Sequence, residues 1–184
     1  MTAAFARSTA WHDAGVESRE RAESLSELGD LLTSLSNRPV VSVRYGRFPD
    51  GAIPGHGLGP LAGQVHDLVA ELHPVWKRYL PSGAEPPSAS QIEALLEPLS
   101  ADAAVDLMAR LAADDLVWPG SKLMNREIAH DTVTRIVKWL GPGATWWTNR
   151  QGNSWDPVTA CTFDGVVAGS DGGYFAVLIQ VGED

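Results

Sequence analysis

Apolar residues recur every three or four positions through most of the chain and then, over the last forty or so residues, alternate with a period near two. Leu25, Leu28, Leu32 and Leu35 make one stripe, which predicts a helix over Val16–Leu35 stopped by Asn37 and Pro39. Glu17, Arg19, Glu20, Arg21, Glu23 and Glu27 form its solvated face. Pro39 to Tyr45 reads as a strand with Val41, Val43 and Tyr45 on one side. Residues 49–60 are dense in Gly and Pro and predict a loop, and Pro60 suits the first turn of a helix over Leu61–Leu80. Leu61, Val65, Leu68, Leu72, Trp76 and Tyr79 would share the inward side of that helix. Pro81–Ser88 is a linker by composition.

Ser90-Gln-Ile-Glu93 matches a capping box and predicts a short helix ending near Pro98. Ser100 can cap the next helix, with Val105, Met108, Leu111, Ala112 and Leu116 on one face and Pro119-Gly120 as its stop. A fifth helix over Leu123–Leu140 turns Ala129, Val133, Ile136, Val137 and Leu140 inward, and Gly141-Pro-Gly143 closes it. The period then changes. Thr145–Thr148 predicts a short strand, Asn149–Asp156 a turn-forming loop, and Val158–Ala168 an extended segment with a turn or bulge at Asp164-Gly165. Ser170–Gly173 is the next turn, and Tyr174–Val181 is apolar on both faces, as a central strand would be.

Segregated helices and strands favour an α+β fold over an alternating α/β one. The expectation is one antiparallel sheet of three to five strands packed by about five helices on one face. The strand near residue 41 would join it across the helical insert. A length of 184 residues suits a single domain, 1–184, with residues 1–15 disordered or extended. With 44% hydrophobic residues the chain can build a core, and no apolar run approaches the roughly 18 residues of a membrane span.

Charge changes the picture of partners. The net charge is −9, and its distribution is uneven: 10 acids against 8 bases in residues 1–92, and 13 against 6 in 93–184. After Arg150 no base remains, while Asp156, Asp164, Asp171, Glu183 and Asp184 do. Phosphate backbones are bound by clustered Lys and Arg, so nucleic acid is not an expected partner, and neither is a membrane. The lone Cys161 excludes an intramolecular disulfide, and the first fifteen residues lack the apolar run of a secretory signal, so the cytoplasm is the expected compartment. Arg outnumbers Lys and Ala, Gly and Pro abound, a composition expected of a GC-rich bacterial genome.

Candidate chemistry is sparse. Gly55-His-Gly-Leu-Gly59 has neither the spacing of a dinucleotide fingerprint nor a following Lys-Ser/Thr, so no cofactor is expected. His66 and His73 lie two helical turns apart, roughly 10 Å, too far to grip one metal between them. Cys161 lacks a nearby basic residue to generate a thiolate and is expected as a small buried side chain. Asp164 and Asp171 precede glycine, which is turn chemistry, and no calcium-loop motif surrounds them, so no metal is expected.

The aromatics carry the most information: seven Trp outnumber four Phe and three Tyr. Adjacent residues of a strand point to opposite faces, so one of Trp146 and Trp147 should face away from the core. Trp155 follows in a loop beside the acidic end. Trp anchors binding hot spots, and carboxylates steer basic partners. Trp146, Trp147, Trp155, Asp156, Asp164 and Asp171 are therefore the expected partner-binding residues. They suggest a non-catalytic, acidic protein-binding module of the immunity or antitoxin type, acting by occlusion of a basic partner such as a toxin, with a homodimer as a further use of an uncovered indole. The competing expectations are a small enzyme built on His56, Cys161 and Asp164 near the 50–60 loop, and a small-molecule sensor with Trp146 or Trp147 lining a pocket.

Overall fold

A computed structural model of the chain describes residues 25–49, 57–80, 82–151 and 154–183, with backbone alone at 151, 154 and 155. The expectations for residues 1–24 and for the loop carrying His56 lie outside the described residues. The elements run in the order α1 (25–35), β1 (Val41–Arg47), α2 (Leu58–Trp76), α3 (Ala89–Leu95), β2 (Glu97–Leu99), α4 (Ala101–Ala113) and α5 (Arg126–Leu140). Then come β3 (Thr145–Thr148), β4 (Arg150–Gln151), β5 (Ser154–Trp155), β6 (Phe163–Ser170) and β7 (Tyr174–Gly182). The fold is α+β. Its five-stranded sheet is antiparallel throughout in the order β1-β7-β6-β3-β2, and β4 and β5 form a separate ribbon.

Helices cover both faces of this sheet, not one. Ala176 and Leu178 of β7 join Trp146 and Val167 in a core with α1, α4 and α5. Phe175, Val177, Ile179 and Val181 join Trp147, Val166 and Ala168 in a second core with α2 and α3. Burying a large apolar side chain stabilises by about 1.5–3 kcal/mol, so strands apolar on both sides demand cover on both. β7 lies inside the sheet as its pattern requires, and β1 pairs with it from Val41↔Gln180 to Arg47↔Tyr174.

The starts of α3, α4 and α5 follow local hydrogen bonding. Ser100 caps α4 by accepting from Ala103 N, and Asn125 caps α5 by accepting from Glu127 N and Ile128 N. The capping box of α3 is set by Ser88 and Gln91, two residues before the Ser90 start, because those two side chains satisfy each other's backbone N–H groups. Gly141 leaves α5 with φ 82°, a conformation that costs a glycine little.

Other boundaries also differ from expectation. β2 is an added strand whose three residues, Pro98 among them, are too few to show alternation, and it holds the sheet's edge, where a proline costs least. α4 stops at Ala113 rather than at Pro119-Gly120, because Asp114 turns extended and bridges Lys122. β6 starts at Phe163, and Asp164 and Gly165 are regular strand residues facing Val181 and Gln180, not a turn. Among the described residues, no helix is long and apolar enough to cross a membrane.

Candidate functional site

Where α4 stops, twelve residues (114–125) must return the chain to α5, and Asp115 organises the first of them. Its Oδ1 accepts from Val117 N at 2.8 Å and Trp118 N at 3.1 Å, and Ser121 N donates to Trp118 O at 2.9 Å. Gly120 takes φ 92° to complete the turn. The loop lifts Trp118 off the surface, 65% exposed.

Facing it is the C-terminal end of α2. That helix stops at Trp76, so Tyr79 is not on its buried face as the sequence pattern implied; it is 55% exposed, beside Val75 at 45%. The Trp76 and Tyr79 rings lie 6.0 Å apart, and the Arg78 guanidinium stacks 4.7 Å above Tyr79.

Two clefts meet at Trp76 and Glu183. One, of about 100 Å³, runs between Val40, Trp76, Leu116, Val117, Trp118 and the end of β7. The other, of about 390 Å³, is lined by Pro39, Val75, Trp76, Arg78, Tyr79 and Glu183. Glu183 is held in place by accepting from Thr162 N and Thr162 Oγ1. Two buried polar atoms on the first cleft's lining residues, Trp76 Nε1 and Gln180 Oε1, have no hydrogen-bond partner among the described residues. Each such atom costs stability, and both fall at one cleft.

The residues expected from sequence are scattered. Trp146 is 2% exposed and Trp147 9%, one in each core, so neither indole of the pair is left for a partner. Trp146 packs on Gly169, its register partner, whose missing side chain makes room for the indole. The side chain of Trp155 lies outside the described residues. Asp156 is exposed. Asp171 Oδ1 accepts from Gly173 N and Tyr174 N, the turn chemistry its glycine neighbour implied.

Asp164 is fully buried. Its Oδ1 accepts from Asn149 Nδ2 at 2.6 Å, and its Oδ2 accepts from Thr159 N and Thr159 Oγ1 at 2.7 Å. Asn149 also donates to Asp156 O and accepts from Val166 N, so this network ties the 156–162 loop to the sheet. Burial pushes the Asp164 carboxyl above its ordinary range despite those hydrogen bonds.

A thiol site gains no support. Cys161 and His73 border one cavity, but it offers about 10 Å³, the room of roughly one water. Burial pushes the thiol up to about 12, against the hydrogen bond from Thr159, while Glu183 and Asp164 push it further. His66 is occupied with Pro87 O at 2.9 Å. Among the described residues, no group of three or more His, Cys, Asp or Glu converges as a metal site.

The surface aromatics were missed for a physical reason. Trp118 stands in a helix-stopping Asp-x-x-Trp-Pro-Gly stretch, and that was its available signal: a large apolar residue fixed in a turn has little core to enter. Comparison with protein families, curated proteins and solved structures finds no match for this chain.

Proposed function

We propose that the chain is a non-catalytic protein-binding module and that its docking surface is the aromatic ridge of Trp118, Tyr79 and Val75 around the two clefts. The observation that carries this reading is Trp118 itself: an indole at 65% exposure, presented by a hydrogen-bonded loop, with a second exposed aromatic, Tyr79, lining the adjoining cleft. Exposing that much apolar surface is unfavourable in water, and Trp and Tyr are the residues that gain most when a partner covers them.

The partner is a protein with a basic rim. Asp115 and Glu183 line the first cleft, and the molecule's net charge of −9 attracts cations over a longer range. Arg78, stacked on Tyr79, gives the second cleft a positive edge that places any acidic group of the partner on that side. Within this class, an inhibitor that occludes the basic working surface of a toxin, as immunity and antitoxin proteins do, matches the combination of acidity and aromatic anchor. It would act in the cytoplasm.

The test is capture from native lysate with wild type, Trp118→Ala and Tyr79→Ala as baits, followed by titration of the captured protein. Both substitutions lie on the surface, so melting temperature should hold within about 2 °C while affinity falls ten-fold or more. A partner retained equally by all three baits would sink the proposal.

A further inference from the structure

We propose that a second pocket, bounded by α4, β2, the first residue of α5 and β4, binds a small organic oxyanion, its carboxylate or phosphate held by Arg110 and Arg126 beside Arg150 and its apolar part resting on Leu99 and Leu107. The pocket offers about 290 Å³, enough for a small ligand. In a chain with only 14 basic residues, three of them line it.

Arg110 carries the argument. Its guanidinium forms no hydrogen bond or ion pair with a described residue, and its Nε is buried without a partner. An unpaired buried donor on a cation is costly, and an arginine fork is shaped to accept both oxygens of a carboxylate or phosphate. The charge of Arg110 also bears on Arg150, whose guanidinium is lowered from its ordinary value by burial first and by Arg110 next, with Asp164 opposing. Two like charges placed together at a pocket repel, and an anion between them reverses the sign of that interaction.

Among the described residues, no acid forms an ion pair with Arg110. Both Asp164 oxygens are taken by Asn149 and Thr159. Asp114 tethers Arg126 at 2.9 Å, which positions that guanidinium at the mouth. Asp106 also lines the pocket, its side chain 78% exposed and 3.9 Å from His130, and makes no ion pair with an arginine among the described residues. Arg150 is anchored by donating from Nη1 to Asp164 O at 2.7 Å. Two of the three guanidinium groups are thus held in place before any ligand arrives.

Isothermal titration of the full chain at low salt with phenyl phosphate, benzoate and the neutral benzyl alcohol tests this. One or both anions should bind with 1:1 stoichiometry, the tighter of the two naming the anionic group, and the alcohol should not bind. Arg110→Met should weaken the anion at least ten-fold with an unchanged or higher melting temperature, since it removes a charge that lacks a partner. Arg126→Met, on an exposed side chain, should weaken it several-fold and keeps the test open if the first variant does not fold. Absence of saturable anion binding to wild type, or equal binding by wild type and the folded variants, overturns the proposal.

Discussion

At Cys161 the buried sulfur has carboxylates as its nearest charges, and every one of these influences but the Thr159 hydrogen bond keeps the thiol protonated. Held near 12 rather than at 9.0, it carries about a thousand-fold less thiolate at neutral pH. Labelling by a disulfide reagent at pH 8 should therefore be slow in the folded protein and rapid in urea; fast labelling without unfolding would contradict the burial. Asp164 makes the opposite case of a polar residue that sequence alone misreads. Asp-Gly pointed to a turn, yet three hydrogen bonds from Asn149 and Thr159 hold the carboxyl inside the sheet. Asp164→Asn turns an amide N–H₂ toward groups that are themselves donors and should cost about 1–3 kcal/mol at neutral pH. The pH dependence has a definite sign. A carboxyl that binds its proton more tightly folded than unfolded contributes stability in full below its ordinary value of 3.8 and loses it as pH rises through the folded value. The margin of wild type over Asp164→Asn should thus shrink from about pH 4 toward neutrality, as read by urea unfolding at several pH values.

At the scale of elements, caps and stops explain most of what was legible. Ser100 and the Gly141 exit of α5 stand where the sequence placed them, and β3 runs over Thr145–Thr148 as its alternation implied. Three of the misplaced boundaries, at α3, α4 and β6, each turn on a choice between neighbouring candidates that nearby hydrogen bonds decided: Ser88 over Ser90, the Asp114–Lys122 bridge over Pro119, the β7 ladder over Asp-Gly turn chemistry. Asn125 is a clean test of such local control, because its side chain is exposed and its Oδ1 accepts from Glu127 N at 2.8 Å and Ile128 N at 3.1 Å. Asn125→Ala should cost about 1 kcal/mol in chemical denaturation with an unchanged slope against denaturant, and no loss would mean that packing alone starts α5.

For the whole molecule the decisive property is how charge and apolar surface are distributed. The ridge around Trp118 lies on an acidic protein, whereas the other pocket is lined by three of its 14 basic residues. Two surfaces of different chemistry imply two different salt responses. Association of a basic partner with the ridge should slow as ionic strength rises from 0.02 to 0.2 M, by about ten-fold or more in on-rate, with a smaller change in off-rate. An on-rate independent of salt would leave the aromatics as anchors but remove the acidic steering.

Periodicity, capping residues and glycine or proline stops act within a few residues of one another, and by themselves they determined the fold class, the strand that lies inside the sheet and the approximate span of the helices. Which face Trp146 and Trp147 each found was decided only when helices from distant parts of the chain closed over both sides of the sheet, because burial is a property of what packs above a residue and not of its neighbours in sequence. The same holds for the sites. Trp118 became exposed beside a cleft, and Arg110, Arg126 and Arg150 came to line one pocket, through contacts between α2, α4, α5 and the sheet that local spacing does not encode.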